Sequence, residues 1–408
     1  MLDINLIRSN PELVKKGVIS KNINPKLIDD FLILDKNWRE SVGEIDNLRA
    51  GQKKFGKENA EEAKKIKNKI QETEDNLKQV EAQRQEILEQ LPNLPLENVP
   101  IGKNEKDNIV IREVGEKPKF NFKPKDYLEL AEKLDLIDIE RAARVSGSRF
   151  GYLKNQAALL EFALLRLVFD NLTSEGFIPI VPPVMIKEEI MKSLGYIDSA
   201  ADKEERYFFE KDGLYLVGTA EQSIIPMHSN EIFDEKELPR RYIGFSSCFR
   251  REAGSYGKDT KGILRVHQFD KAEMISFAEP EKSGQELEFL LKMAENLMQK
   301  LKIPYRVIQL CSGDLSRPSA ITYDIESWMP GQNTYRETHS ISNTTDFQSR
   351  RLNIKYRSQK SEHIHILNGT AFAIGRILIA IIENYQQEDG SIFVPQAIQQ
   401  YLKFEKIG

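Results

Sequence analysis

The stretch Cys248-Phe-Arg-Arg-Glu-Ala-Gly-Ser-Tyr-Gly-Lys-Asp-Thr-Lys-Gly-Ile-Leu-Arg-Val-His-Gln-Phe-Asp-Lys-Ala-Glu-Met274 reads as strand, glycine-rich loop, strand. Side chains alternate faces along a strand. Arg250 and Glu252 therefore share a face, and Arg265, Phe269 and Glu273 share one on the returning strand. Two arginines, two carboxylates and an aromatic plane are poor material for a dry core. They suit a polyanion with a flat base attached, a nucleoside triphosphate. In the loop, Gly254, Gly257 and Gly262 reach conformations that other residues resist, and Lys258 and Lys261 charge its tip. Alone, a Gly/Lys loop is an ordinary solvated turn. Between these flanks it reads as a phosphate-handling loop.

Three further segments carry chemistry. In Val217-Gly-Thr-Ala-Glu-Gln222, Thr219 and Glu221 project together if the chain is extended, and a hydroxyl beside a carboxylate can hold an ammonium group. In Asn333-Thr-Tyr-Arg-Glu-Thr-His-Ser340, Glu337 and Ser340 offer hard oxygens suited to Mg²⁺. Each segment in isolation reads more simply as an exposed strand. Leu367-Asn-Gly-Thr-Ala-Phe-Ala-Ile-Gly-Arg376 leads into a helix, expected over Thr370–Tyr385, that is apolar almost all round and hence buried. Arg376 at its start needs a partner: a base under its guanidinium, or a buried carboxylate. His267 shares the face of Arg265 and Phe269, and lining the site and a structural hydrogen bond are equally open to it. His363 and His365 fit strand positions, with no metal expected there.

The N-terminal part is of another kind. From about 26 to 91 the chain is rich in Lys, Glu, Gln and Asn and carries heptads. Leu27, Phe31, Leu34, Trp38, Ile45 and Leu48 form one seam. Ala63, Ile66, Ile70, Leu77, Val80, Ile87 and Leu91 form another, with Thr73 and Arg84 as polar interruptions. Gly56 suits a helix end, and Asn59 with Glu62 a helix start. The pattern predicts a long antiparallel helical hairpin. Charged residues outside the seams leave no second apolar stripe, so a freestanding arm is favoured over a bundle. Prolines at 92, 95 and 100 stop the second helix. The organisation expected is an N-terminal domain over 1–100, a polar linker over 101–125 with a strand near 108–114, and a catalytic domain over 126–408. Long runs of strands with helices at few points predict an α+β fold on an antiparallel sheet.

Bulk properties narrow the function. The 408 residues carry a net charge of −4, so no global basic field draws in nucleic acid. Two distant cysteines and no CxxC argue against a disulfide framework or structural zinc and suit a reducing cytosol. The most apolar run, Ile377–Ile382, is too short to span a bilayer, and the N-terminus lacks signal-peptide character. A cytoplasmic location without membrane attachment is expected.

Taken together the segments resemble class II aminoacyl-tRNA synthetases, and among them the bacterial-type seryl-tRNA synthetases. Gly176–Pro183 resembles motif 1, Phe249–Glu273 motif 2, and Asn368–Arg376 motif 3. Thr219-Ala-Glu221, Gly331–Glu337 and Glu383-Asn-Tyr-Gln386 are similar to signatures of the seryl branch. The resemblance spans the whole chain, arm included. It implies ATP as substrate, Mg²⁺, L-serine, tRNA(Ser), with tRNA(Sec) as a further candidate, and a homodimer. Arg250, Arg265 and Arg376 would be catalytic. Arg250 would meet the α-phosphate, and Arg265 the γ-phosphate. Glu252 would meet adenine, which Phe269 and Arg376 would sandwich. Arg251, Val266, Thr338 and His339 would complete the ATP site, and Glu337 and Ser340 would carry the metal. Thr219, Ala220, Glu221, Arg250, Glu273, Asn368 and Thr370 would form the serine pocket, with Glu221 near the ammonium and Glu273 near the hydroxyl. Lys53, Lys54, Lys57, Lys64 and Lys65 would contact tRNA near the tip of the arm. Thr338-His339 and Arg317-Pro318 depart from the usual pattern; neither removes a residue the chemistry depends on.

Overall fold

The computed structural model describes residues 1–53, 60–253 and 261–408. Lys54, Gly56, Lys57, Asn59, Gly254, Gly257 and Lys258 lie outside them. The chain divides into two compact units, Met1–Leu94 and Pro95–Gly408.

In the first unit two short helices precede the arm: α1 (Ile4–Ser9), capped by the Asp3 carboxylate, and α2 (Pro11–Ser20), capped by Asn10 with proline at its first position. The arm is α3 (Lys26–Gln52) and α4 (Ala60–Gln90), of 27 and 31 residues, hence roughly 40 and 46 Å long at 1.5 Å per residue. Phe31 and Ile45 of the expected seam are buried on α3, and so is a residue outside it, Asp35. Its carboxylate is fully buried and accepts from Arg8 at 2.8 Å, Arg84 at 2.9 Å and Arg39 at 3.2 Å. Arg84, which broke the second seam, crosses to α3 for this purpose and lies 4.8 Å from the Trp38 ring centre. Burial would raise the Asp35 carboxyl, but the bonds from Arg8 and Arg84 outweigh it and hold it below the ordinary range. Further out, Arg49–Glu74 and Lys69–Glu44 pair across the hairpin.

The second unit is built on an eight-stranded sheet. Its strands are β1 (Ile109–Val114), β2 (Ile178–Ile180), β3 (Arg240–Phe249), β4 (Gln268–Ala278), β5 (Tyr305–Gln309), β6 (Ile321–Met329), β7 (Thr334–Asn343) and β8 (His365–Ala373). Their spatial order is β1-β5-β6-β7-β8-β4-β3-β2, antiparallel except for β2 on β3. β1 lies within the segment read as a linker and forms the sheet edge on β5. Helices α5 (Asn155–Ser174), α6 (Ser283–Leu301) and α7 (Ile374–Asn384) pack on one face. α5 buries Ala157, Leu160, Ala163, Leu164, Leu167, Val168 and Leu172, a 3/4 repeat, and ends at Gly176 with φ +86°. The expected helix Thr370–Tyr385 begins only at Ile374, because Asn368–Ala373 pairs with β4 instead.

The period-2 rule sorts β4 cleanly. Ala272 and Met274 enter the core under the helices, whereas Ile275 and Phe277 enter a second apolar core on the other face. Phe269, Lys271 and Glu273 continue that second face toward the strand start, where the core gives way to a cavity.

Candidate active site

The cavity, of about 360 Å³, sits on the sheet face away from α5–α7. Two β-bulges shape it. On β7 the pairing with β6 shifts between Ile325 and Glu326, leaving Thr338 as the extra residue. On β8 the pairing with β4 shifts between Ala272 and Glu273, leaving Ala371 extra. Residues three apart on a regular strand face opposite ways; one inserted residue reverses that. Glu337 and Ser340 therefore both line the cavity, as do Thr370 and Ala373.

Of the expected ATP-site residues, Arg250, Glu252, Arg265, Val266, Phe269, Glu337, Thr338, Ser340 and Arg376 line the cavity. Arg250 to Glu252 and Arg265 to His267 lie just beyond the β3–β4 ladder, and Glu252 takes a left-handed φ of +52°. That turn carries its carboxylate to Arg265 Nη1 at 2.5 Å. Arg376 donates to the Glu337 carbonyl at 2.8 Å and approaches its carboxylate at 3.3 Å. Enclosure alone would raise the Glu337 carboxyl; Arg376 and Arg250 outweigh it and lower it. Arg250 rests 5.4 Å from the Phe269 ring centre, its Nε donating to the Gly218 carbonyl at 3.3 Å.

Two expected ATP-site residues lie elsewhere. His339 follows the bulge onto the helix face, 1% exposed, where Nδ1 bonds the Thr338 hydroxyl and the ring meets Phe372. Burial depresses its basicity to about 3. Arg251, one step out of phase with Arg250, is exposed and lies over Tyr207. His267 does not line the cavity either; its Nδ1 meets the Arg250 carbonyl at 3.0 Å.

On the amino-acid side, Thr219, Glu221, Glu273, Asn368 and Thr370 line the same cavity, all at most 9% exposed. Glu221 opens a short helix, Glu221–Ile224, so Thr219 and Glu221 converge through a turn and not along a strand. Ala220 is turned into the second apolar core. The Thr219 hydroxyl is buried without a hydrogen-bond partner, and Tyr196 donates its phenol proton to Glu221. Glu273 pairs with Lys271 at 2.5 Å and sits 3.5 Å from the Thr370 hydroxyl. Burial pushes its carboxyl up to about 7, against the pull of Lys271. Sequence reasoning had no signal for Tyr196 or Arg206, whose types are ordinary and whose segments carry no motif; Lys271 was passed over although the alternation that pairs Phe269 with Glu273 puts it on the same face.

Beside Glu337 lies an acidic groove that shares Ser340 and adds Asp324. One Asp324 oxygen is buried without a partner, and burial, then Glu337, raises its carboxyl well above the ordinary range. An orphaned carboxylate oxygen next to Glu337 and Ser340 fits a hard divalent cation. Among the described residues no group of three or more His, Cys, Asp or Glu side chains could hold a metal. Phosphate and water oxygens would complete such a shell, as is usual for Mg²⁺.

Comparison with known proteins places this arrangement. Residues 1–95 match the seryl-tRNA synthetase N-terminal domain, and 207–385 match the tRNA synthetase class II core domain (G, H, P, S and T). A serine–tRNA ligase of Dictyoglomus turgidum is 47% identical over 100% of this chain and 99% of its own. The chain belongs to the seryl-tRNA synthetase family. A serine–tRNA ligase of Pseudothermotoga lettingae is 44% identical over the full length of both. The seryl-tRNA synthetase of Pyrococcus horikoshii, solved in complex with ATP, superposes with a TM-score of 0.95 at 41% identity over 100% of this chain and 99% of that one. Members of the family are class II aminoacyl-tRNA synthetases, ligases that join serine to tRNA.

Proposed function

We propose that the cavity joins L-serine to ATP, forming seryl-adenylate and pyrophosphate, and then passes serine to the 3′ end of tRNA(Ser). The observation that carries the reading is the convergence of four arginines, Arg206, Arg250, Arg265 and Arg376, with an acidic, hydroxyl-lined pocket on one sheet face. No side chain serves as a nucleophile. The serine carboxylate attacks the α-phosphorus, and pyrophosphate leaves. The protein's part is to position both substrates and stabilise charge.

Arg250 takes the α-phosphate. Arg265 leaves Glu252 for the γ-phosphate, freeing Glu252 for adenine. Arg376 leaves Glu337 to cover the base opposite Phe269, with Val266 and Thr338 beside it. Glu337 and Ser340 hold Mg²⁺, which when bound supplies Lewis-acid neutralisation of phosphate charge. Glu221 accepts from the ammonium, Thr219 gains the partner it lacks, and Glu273 meets the hydroxyl, with Asn368 and Thr370 closing the pocket. Alanine would leave Glu273 without its partner, which sites of this kind reject strongly.

Serine-dependent ATP–pyrophosphate exchange, run beside alanine, threonine and glycine, tests the reading; absence of exchange with serine overturns it. We place tRNA on the arm, where Lys53, Lys64 and Lys65 are exposed. Deleting residues 30–89 then leaves exchange intact and abolishes charging. We place a second copy of the chain over the exposed apolar residues Leu159, Phe162, Ile178 and Val181, contiguous with the segment resembling motif 1. Phe162→Glu then sediments as a monomer. No described helix is long and apolar enough to cross a membrane, and the cytoplasm is the proposed location.

A further inference from the structure

The cavity's cations fall into two groups. Arg265, Arg376 and Lys271 each have a carboxylate of their own, in Glu252, Glu337 and Glu273. Arg250 and Arg206 make no such pair among the described residues. Arg206 follows the short helix Ala200–Glu204, and its Nε is buried without a hydrogen-bond partner. Burial, and then the Arg250 charge, lower its proton affinity, and Asp202 and Glu205 do not make up the difference.

The two guanidinium groups converge over one glycine. A Cβ on Gly218 would lie 2.8 Å from Arg206 Nη1 and 3.6 Å from Arg250 Nε. A side chain at 218 would crowd Arg206 Nη1 and push that guanidinium from its place, while leaving Arg250 in ordinary contact. Like charges this close in a half-enclosed site repel unless an anion lies between them. The position of Arg206 indicates which anion. Its guanidinium lies 5.4 Å from the Tyr196 ring centre, and the Tyr196 hydroxyl donates to Glu221. Arg206 thus shares a neighbour, Tyr196, with the carboxylate assigned to the serine ammonium, and both line the cavity. An amino acid carries its carboxylate one carbon away from its ammonium.

We infer that Arg206 is a further substrate-binding residue: with Arg250 it clamps the carboxylate of serine, holding one oxygen while the other is aimed at the α-phosphorus. This rests on the proposed activity. It divides the labour between two arginines, since Arg250 alone would have to hold both the carboxylate and the α-phosphate. A guanidinium suits the task because it offers several donors in a plane.

The test uses the full-length protein in serine-dependent exchange, with serinol as inhibitor. Serinol keeps the ammonium and hydroxyl of serine and replaces the carboxylate by a hydroxymethyl group. Arg206→Gln raises the KM for serine about tenfold or more, the loss of a charge-assisted hydrogen bond. The KM for ATP and the inhibition by serinol stay near wild type. Arg206→Lys, which keeps the charge and loses the plane, falls between. The inference is overturned if serinol weakens as much as serine, if the KM for ATP rises with that for serine, or if the KM for serine does not move. Should Arg206→Gln fail to fold, Arg206→Lys is read by the same ratio of serine to serinol. Absence of exchange in the wild type would sink the proposed activity itself; wild-type exchange with an unaltered variant sinks only the clamp.

Discussion

Two clusters of buried charge behave in opposite ways. In the first unit Asp35 is fully buried and answered by Arg8, Arg39 and Arg84. In the second unit Arg206 and Arg250 face each other with no carboxylate of their own among the described residues, and the Thr219 hydroxyl is buried without a partner. Arginines gather in both places, so residue type does not tell them apart. Pairing does. Arginines that reach a carboxylate hold a fold together; arginines that reach none are held ready for something absent.

The comparison breaks first at Asp35. Asp35→Ala strands the Arg84 charge, and a buried pair broken on one side costs about 3–5 kcal/mol. Thermal unfolding should show the first unit destabilised by that order while serine-dependent exchange, housed in the second, is retained. Equal loss of exchange would make the division between structural and functional charge false. The same carboxylate should show in pH titration. Its pKa is lowered in the folded state, so at acid pH the unfolded chain takes up a proton that the folded one refuses. Its stabilising contribution is full above the ordinary carboxylate pKa and is lost as pH falls through the depressed value. The variant should lack that part of the acid slope.

Arg250→Ala should do the reverse. Exchange falls about 10²–10³-fold, the scale of removing one donor aimed at developing charge, with the unfolding temperature unchanged or raised. A sharp drop in stability would count against an open site of unpaired arginines. Glu273→Gln should narrow the preference for serine over alanine about tenfold, measured as the ratio of exchange rates, since one hydrogen bond to a charged group is weakened. The smallest effect belongs to the arm surface: Glu74→Ala removes a half-exposed pair with Arg49 and should cost about 0.2–1 kcal/mol in denaturant unfolding.

How much of this was legible follows from the reach of each signal. Heptads are local, so the two arm helices could be read directly. Alternation is local too, and it placed Phe269 and Glu273 on one face of β4. Arg84 could be seen to interrupt a seam, but its reason, Asp35, lies 49 residues away on the facing helix. Arg206 carries no periodic or motif signal; its meaning comes from Gly218 and Tyr196, which only the fold brings near. Arg251 and Ala220 were assigned with their motif neighbours, and strand or turn phase carries each to another side. His339 failed for a subtler reason: the residue before it stands outside the ladder.

That residue, Thr338, sets the reading frame of β7. Upstream of it one set of alternate positions meets the cavity, and downstream the other set does. Substitution at 338 changes a side chain. Deletion of 338 would change every side chain on one flank, exchanging Ser340 and Ser342 for His339 and Ile341 while leaving composition and strand propensity almost untouched. For this strand, insertions and deletions are a different class of event from replacements, much as a frameshift differs from a missense change in a message.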